Sequence, residues 1–349
     1  MVISGILLKI PYWLTWKVKK LNHTLDGLVF YVATEHDYRV IENLLPHLPP
    51  SFLLTSRCKT VVELLKAKGL PVKKWPAFPE VLVMVRHAFH LFPVAEIKKI
   101  GMRHGPYHFK RMINAKKYNK FDVFLFTSSH EADIARTRGI KGAVSGGYPP
   151  LDSFKDEKVI RKSTSLFENA NLDKNKKTLL FTSTWDKSGM SAIDRWADKL
   201  TSLSDHFNII VSLHPAISFK WKNIIHQQGV FIVNSQQLAE AMILADFLIS
   251  DTSSVIAEFC ALNKPVIAFR VPLSPRLTPE IATMICEISL QIDQVDEISG
   301  AVEQYEIQPD LKEKDREYWN RIIFDDTNIS HGKKAAEIIT RFLETKLRY

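Results

Sequence analysis

The chain has 349 residues, of which 46% are hydrophobic and 24% are charged, and its formal net charge at pH 7 is +9. This length suits two domains of common size, and the composition excludes an intrinsically disordered chain. The three widely spaced cysteines exclude a disulfide framework or a zinc-ligand pattern and favour a reducing, cytoplasmic environment. The positive charge indicates polyanionic partners such as anionic lipid, nucleic acid, nucleotides or phosphate-rich polymers.

Residues 1–22 mix apolar and aromatic side chains, including Trp13 and Trp16, with four lysines. The segment is too short and too charged to cross a bilayer, which takes about 20 apolar residues. No small-residue cleavage site of a secretory signal follows it. Its composition is typical of a segment that lies on an anionic membrane surface. The alternative is a first element that packs on its own domain, and the sequence leaves both possibilities open.

Apolar runs of strand length alternate with helical stretches from residue 28 onward. The predicted strands are 28–33, 52–55, 81–85 and 121–128 in the first half, and 178–182, 208–213, 230–232, 247–250 and 266–269 in the second. Because these runs are continuously apolar, both faces of each strand are expected to be buried, as in parallel sheets covered by helices. The sequence therefore predicts an α/β fold with two Rossmann-like domains.

The polar segment 148–177 contains two prolines and predicts the linker between these domains. The predicted domains are therefore 23–155 and 175–349, and a helix predicted at 332–347 can return to brace the first one. Ligands of open α/β sheets bind at the carboxyl ends of the strands, so a cleft between the two domains is the expected site.

The sequence FLISDTSSVIAEF places Asp251 at the end of a predicted buried strand and enters a helix through Thr252, Ser253 and Ser254. Backbone N–H groups at a helix start, the helix dipole and nearby hydroxyls together favour phosphate oxygens. The segment therefore predicts a diphosphate site, with ordinary helix capping as the alternative. Glu258 follows one turn after Ser254, where it can bind ribose hydroxyls or simply be solvated.

His214 ends the predicted strand 208–213, and Pro215 stops that strand. A histidine held there on a rigid element can donate to a phosphate or take part in proton transfer. A purely structural role is the alternative.

A third group of residues surrounds His104, which follows a short apolar strand. No carboxylate occurs between Glu96 and Asp122, whereas eight cations do: Lys98, Lys99, Arg103, Lys110, Arg111, Lys116, Lys117 and Lys120. Such a field of one sign attracts polyanions, although a charge run can also be a solvated face. The candidate ligands of the acceptor or another polyanion are Arg103, Gly105, Lys110 and Arg111.

The order of these segments resembles the CDP-glycerol glycerophosphotransferase family of teichoic acid and capsule polymer synthesis, whose members have a GT-B arrangement of two Rossmann-like domains. The matching segments are Arg103-His104-Gly105, Gly147-Tyr148-Pro149-Pro150-Leu151-Asp152, Ser183-Thr184-Trp185-Asp186, His214-Pro215, Asp251-Thr252-Ser253-Ser254 with Glu258, and Ser330-His331-Gly332. The resemblance runs from about residue 95 to the end of the chain. The sequence departs from the family at Arg103, where the family has Trp, and at Asp186, which follows Trp185 without the usual Arg.

The resemblance implies a transferase that moves a polyol phosphate, such as glycerol phosphate, from a CDP-activated donor to a hydroxyl of a cell-surface polymer or its lipid-linked precursor, releasing CMP. It implies two catalytic residues, His104 as the general base and His214, which holds the diphosphate and stabilises charge on the leaving group. It also implies that the donor diphosphate and nucleotide are bound by Thr184, Asp251, Thr252, Ser253, Ser254 and Glu258. No metal ion or cofactor is expected, and the expected location is the cytoplasmic face of the membrane.

Two other functions remain open. A GT-B glycosyltransferase or a nucleotide-sugar 2-epimerase would share the architecture and the phosphate site, and would release UDP from a UDP-sugar in place of CMP. A non-catalytic binder of anionic lipid or nucleic acid would use the net charge alone. The sequence contains no helix-turn-helix signal and no aromatic-basic platform for single strands, so nucleic acid is not an expected partner.

Overall fold

The computed structural model describes residues 9–106, 114–272, 274 and 277–346. It divides into two compact units, the first formed by residues 1–104, 113–150 and 330–349 and the second by residues 105–112 and 151–329. The change of unit at residue 150 falls inside the predicted linker. The C-terminal residues belong to the first unit, whereas the domain boundaries predicted from the sequence placed them in the second.

The first unit is built on a seven-stranded parallel sheet with the strand order β3-β2-β1-β4-β5-β6-β7. All residues of the two central strands β1 and β4, as given below, are buried, because helices cover both faces of the sheet. Its elements are α1 (Lys9–Leu21), β1 (Leu28–Tyr31), α2 (Glu35–Ile41), β2 (Phe52–Ser56), α3 (Lys59–Ala67), β3 (Val72–Lys74), β4 (Val81–Met84), β5 (Lys98–Met102), α4 (Ala115–Tyr118), β6 (Val123–Phe126), α5 (Ser129–Thr137) and β7 (Ala143–Ser145).

The second unit is built on a six-stranded parallel sheet with the strand order β10-β9-β8-β11-β12-β13. Its elements are α6 (Glu157–Asn169), β8 (Lys177–Thr182), α7 (Ile193–Trp196), β9 (Phe207–Ser212), α8 (Phe219–Gln227), β10 (Phe231–Val233), α9 (Leu238–Leu244), β11 (Phe247–Ser250), α10 (Val255–Cys260), β12 (Val266–Phe269), α11 (Pro279–Ile288), β13 (Ser289–Ile292), α12 (Ile298–Ile307) and α13 (Glu313–Phe324). The predicted α/β class with two Rossmann-like sheets is thus confirmed.

The last helix, α14 (His331–Lys346), belongs to the first unit because its apolar face completes that unit's core. Ala335, Ala336 and Ile339 are fully buried among the side chains of the first sheet and its helices. Nδ1 of His331 accepts a hydrogen bond from the backbone N–H of Tyr148 at 3.2 Å. Gly147 has φ +78°, and a Cβ there would lie 2.7 Å from His331 Nδ1, so only glycine fits.

Several short elements differ from the predicted ones. The stretch 191–203, whose sequence pattern predicts one helix, forms two short helices, α7 and the 3-10 helix Leu200–Leu203. Strands β3, β7 and β13 were not predicted, because each has only three or four residues and lies at an edge of its sheet, where continuous apolar character is not required. Of the helices that lie within the described ranges, none has the length and apolar character needed to span a membrane.

Candidate functional site

The centre of the second unit's sheet brings two loops together through one buried carboxylate. β8 and β11 are neighbours at the point where the strand order reverses, which is where open α/β sheets bind ligands. Asp251 follows β11, and its Oδ1 accepts hydrogen bonds from the backbone N–H groups of Thr184 (2.8 Å), Thr252 and Ser253 (3.1 Å). Its Oδ2 accepts from Ala192 N at 3.0 Å. Asp251 therefore fixes the loops that follow β8 and β11.

The hydroxyl groups after Asp251 differ in what they contact. Thr252 is buried, and its Oγ1 donates to Met190 O at 3.3 Å. Ser253 Oγ accepts from Val255 N at 3.4 Å. Ser254 occupies the N-cap position of α10 but makes no side-chain capping hydrogen bond. The alternative of ordinary helix capping therefore does not apply to the Ser254 side chain.

Glu258 lies on α10 and is 3% exposed. The alternative that this side chain is simply solvated is therefore wrong. Glu258 is buried because α10 packs against the sheet. The spacing between Ser254 and Glu258 in the sequence does not reveal this packing.

His214 lies after β9, the strand beside β8, and is exposed. Its Nδ1 accepts a hydrogen bond from Ala216 N at 3.1 Å. Since Nδ1 is the acceptor, the neutral ring carries its proton on Nε2, which is then a donor suited to phosphate oxygens. The loop is also tied to the one after β8, because Asp186 Oδ1 accepts from Ser218 N at 3.2 Å.

His104 lies in the first unit, two residues after β5. Its backbone carbonyl is 2.7 Å from His36 Nε2, and the two rings meet edge to face with centroids 6.4 Å apart. The ring is accessible to solvent, but the protein atoms around it restrict its hydration. This desolvation, followed by the positive charges of Arg103 and Arg86, lowers the pKa of His104 to about 3. The ring is therefore neutral at neutral pH, as a proton acceptor must be.

The candidate polyanion ligands near His104 are not all at the surface. Arg103 is buried, and its Nε has no hydrogen-bond partner among the described residues. Burial raises the pKa of the Glu131 carboxyl, and the Arg103 charge opposes that rise. Gly105 is also buried. Lys110 and Arg111 lie outside the described residues.

The expectation of eight unpartnered cations between residues 98 and 120 is wrong. Lys99 is buried, and its Nζ donates to the backbone carbonyls of Val94 (3.2 Å) and Ile97 (2.6 Å). Lys98 pairs with Asp122 at 3.5 Å. Consecutive strand residues point to opposite faces of a sheet, so a run of charges on β5 cannot form a single basic face.

Two positive residues that follow strands of the first sheet, one of them close enough to lower the pKa of His104, were missed by sequence reasoning. Arg57 and Arg86 each follow a strand of the first sheet by one or two positions. Their place directly after an apolar run was a signal that could have identified them. In the part of the chain that the structure describes, no group of three or more His, Cys, Asp or Glu side chains is arranged to hold a metal ion.

The comparisons with known proteins agree with this arrangement. A family model described as CDP-glycerol:poly(glycerophosphate) glycerophosphotransferase matches residues 50–274. The teichoic acid poly(ribitol-phosphate) polymerase of Bacillus spizizenii is 28% identical over 200 residues, which are 54% of this chain and 32% of that protein. The teichoic acid glycerol-phosphate primase of the same species is 27% identical over 226 residues, which are 61% of this chain and 58% of that protein. The chain thus spans between about a third and about three fifths of the length of these relatives.

Two solved structures share the fold over nearly the whole chain. The wall teichoic acid polymerase TagF has a TM-score of 0.65 at 13% sequence identity, and the match covers 99% of this chain and 98% of that one. The UDP-GlcNAc 2-epimerase of Neisseria meningitidis has a TM-score of 0.57 at 13% identity, covering 92% of this chain and 100% of that one. At these identities the likeness concerns the fold alone.

Proposed function

Because the chain belongs to the CDP-glycerol:poly(glycerophosphate) glycerophosphotransferase family, we propose that it transfers a polyol phosphate from a CDP-activated donor to a hydroxyl of a phosphate-rich polymer or its lipid-linked precursor, releasing CMP. The observation that carries the proposal is the family match across both sheets, from residue 50 to residue 274. The curated relatives named above are polymerases and primases of ribitol phosphate or glycerol phosphate in teichoic acid.

The donor diphosphate binds, in this proposal, at the carboxyl ends of β8, β9 and β11. The Nε2–H of His214 and the hydroxyl of Ser254 donate to its oxygens. Support comes from the Asp251 carboxylate, which holds the backbone of Thr184 and Ser253 in place by hydrogen bonds of 2.8 and 3.1 Å. Donors fixed before the reaction stabilise developing charge without reorganising, and this charge grows on the CMP leaving group.

His104 is the proposed general base. It takes the proton from the acceptor hydroxyl, whose oxygen forms a bond to the phosphorus that carries the polyol. The bond from that phosphorus to the bridging oxygen breaks, and CMP leaves with the electron pair. A base with a pKa of about 3 accepts a proton weakly. Anionic substrates close to the ring would raise this pKa towards the range useful at neutral pH.

The experiment that tests the proposal identifies the nucleotide product. Purified protein is incubated with CDP-glycerol, CDP-ribitol and a panel of UDP-sugars, together with a soluble phosphate-rich acceptor. CMP from a CDP-polyol supports the proposal. UDP from a UDP-sugar, or epimerisation of the sugar, would assign one of the alternatives that share the fold. Absence of any nucleotide release, with binding to anionic vesicles retained, would assign a non-catalytic binder.

We also propose a peripheral location at the cytoplasmic membrane face, supported by the two sides of α1. One side packs on the first unit, where Tyr12 Oη donates to Ala77 O at 2.6 Å and Trp16 Nε1 donates to Pro79 O at 2.8 Å. The other side leaves an apolar stripe exposed at helical spacing, formed by Ile10, Trp13, Leu14, Val18 and Leu21. Exposed Lys9 and Lys20 lie on the same helix. This combination of apolar and basic residues suits an anionic leaflet.

A further inference from the structure

Two arginines of the first unit lie just beyond the carboxyl ends of two of its strands, β2 and β4, outside the residues assigned so far. Tyr31 of β1 is level with Thr55 of β2 and with Met84 of β4. Arg57 and Arg86 follow these two paired residues by two positions each, and β1 lies between the two strands. Neighbouring strands are about 4.8 Å apart, so the ends of β2 and β4 are about 10 Å apart. Two arginine side chains that start at this separation can reach one phosphate group.

The guanidinium of Arg86 is positioned by a buried carboxylate. Its Nε donates to Asp37 Oδ1 at 2.6 Å. Asp37 Oδ2 accepts from the backbone N–H groups of Ala33 (3.0 Å) and Thr34 (3.2 Å), so the carboxylate itself is fixed. The Asp37 side chain is 1% exposed and that of Arg86 is 44% exposed. Within the described ranges the two terminal nitrogens of Arg86 make no hydrogen bond. The hydrogen bond from Nε fixes the orientation of the planar guanidinium and therefore of these two nitrogens.

Arg57 is held by a cation–π contact. Its Cζ lies over the Trp75 ring, 5.2 Å from the ring centroid, and the side chain is exposed. Such a contact does not use the guanidinium N–H groups as hydrogen-bond donors to another polar group. Among the described residues Arg57 has no ion-pair partner. A second positioned donor group therefore follows the end of β2, as Arg86 follows the end of β4.

We propose that Arg86 and Arg57 form a phosphate subsite for the acceptor, in an assignment that rests on the proposed transferase function. Arginine binds phosphate oxygens through pairs of parallel N–H···O bonds, which fix orientation as well as charge. Gly101 of β5 is level with Met84 of β4, so Arg86 and His104 each follow the end of one of two neighbouring strands by two residues. A phosphate held at Arg86 would leave the hydroxyl of the adjoining polyol within reach of His104.

The electrostatic field at His104 is consistent with this subsite. Desolvation lowers the pKa of His104 most, and the positive charges of Arg103 and Arg86 add to the effect. A bound phosphate would offset part of this field and raise the pKa of the base. Binding of the acceptor would thereby prepare the group that deprotonates it.

The test compares three variants of the full chain: Arg57→Gln, Arg86→Lys and the control Lys59→Gln. Lys59 begins α3 two residues after Arg57, and its side chain is 85% exposed, so the control removes the same charge from the same region. The affinity for a glycerol-phosphate trimer and for inorganic pyrophosphate is measured by calorimetry without donor. The KM values for acceptor and donor are measured separately in the CMP-release assay.

We expect each arginine variant to weaken binding of at least one probe and to raise the acceptor KM by about 10- to 100-fold, with the donor KM and the control unchanged. Arg86→Lys keeps the charge but loses the Nε contact and the planar fork, so it is expected to weaken binding as well. Selective loss of trimer binding supports a polymer phosphodiester as the ligand. Selective loss of pyrophosphate binding supports the diphosphate of a lipid-linked precursor.

Unchanged affinity for both probes in both arginine variants would overturn the subsite. A raised donor KM with normal trimer and pyrophosphate affinity would overturn it too, by assigning the arginines to the donor. If Arg86→Lys fails to fold, the binding data for Arg57→Gln alone decide the test. Within the described residues Arg57 pairs with no buried carboxylate, so its replacement should not prevent folding. Calorimetry needs no turnover, so a protein that binds the trimer through these arginines but transfers nothing would contradict the proposed function and leave the subsite standing.

Discussion

Oδ1 of Asp251 accepts a hydrogen bond from the backbone N–H of Thr184 at 2.8 Å, although the two residues are 67 positions apart. Asp251 follows β11 and Thr184 follows β8, and these strands are neighbours in the parallel sheet. A buried carboxylate that satisfies several backbone donors holds both loops in one conformation. The role of Asp251 in donor binding stays a prediction, and these contacts indicate that it acts by positioning the groups around it.

We expect Asp251→Asn to destabilise the protein by about 1–3 kcal/mol, because an amide in place of one carboxylate oxygen directs N–H groups at backbone donors. The donor KM should rise as well. Asp246→Asn is the matched control: Asp246 lies just before the same strand, is exposed, and its Oδ2 accepts from Thr178 N at 2.8 Å. Thermal unfolding and donor kinetics measure both effects. A wild-type Tm for Asp251→Asn would contradict its positioning role.

Ser254→Ala should raise the donor KM more than it lowers kcat, because a ground-state contact to phosphate is lost. Its Tm should be unchanged, since Ser254 makes no capping hydrogen bond. Ser128→Ala is the contrasting variant, because Ser128 Oγ accepts from Glu131 N at 3.2 Å at the start of α5. Its loss should cost about 1 kcal/mol of stability without changing the donor KM. A normal donor KM in Ser254→Ala would exclude this hydroxyl from the donor site.

His104→Ala and His214→Ala should each abolish most turnover, with a loss of about 10²- to 10⁴-fold for the general base. Their Tm values should stay close to wild type, because both side chains are exposed and the hydrogen-bond contact from His36 is to the backbone of His104, which alanine keeps. His226→Ala, on the exposed side of α8, is the control and should retain full activity. Wild-type rates in both histidine variants, or unfolding of either, would refute their assignment.

The protonation of His104 can be measured directly by NMR titration of its ring, identified by the signals missing in His104→Gln. With the pKa lowered to about 3 by desolvation, Arg103, Arg86, His36 and His87, the ring should stay neutral throughout the range from about pH 8 down to about pH 5. Arg86→Gln removes one positive charge and should move the pKa upward. A wild-type titration midpoint near the ordinary histidine value of about 6.5 would disprove the predicted field.

Binding of α1 to membranes can be tested by sedimentation with vesicles that contain anionic lipid. Trp13→Ser combined with Leu14→Ser should weaken binding by about 10-fold or more, because exposed apolar side chains no longer enter the interface. Added salt should release the wild-type protein. Ile307→Ser removes a side chain that is 78% exposed on α12 and should leave binding unchanged. Equal sedimentation of the double variant and the wild type would refute the membrane face.

The packing of α1 also explains why deletion of the whole segment would be a poor test. Tyr12 and Trp16 are buried in the first unit, with exposures of 6% and 2%. Removing them would open the core, so loss of vesicle binding would not be separable from loss of folding. For the described part of residues 1–22, packing on the first unit and binding to a membrane surface are compatible, because opposite sides of α1 would make the two contacts.

The sequence by itself determined the parallel α/β architecture and the strand ends that carry His214 and Asp251. Continuous apolar runs are required wherever a strand is buried on both faces, and β11 and β12 match their predicted bounds for this reason. The same local logic did not find β3, β7 and β13, because short edge strands need no continuous apolar run. The pattern of apolar residues shows how completely one segment is buried. The strands that were not predicted are therefore those that are only partly buried.

Only the tertiary structure decided which distant groups meet. Charge in the sequence does not reveal burial, so the carbonyl contacts of Lys99 could not be foreseen. Neither could the Asp37–Arg86 pair, nor the return of α14 to the first unit through His331 and Tyr148, 183 positions apart. These contacts join residues that are distant in the chain and close only after the strands have been ordered. Local sequence fixes an element's type and its buried face, and the packing of elements fixes the partners of each polar side chain.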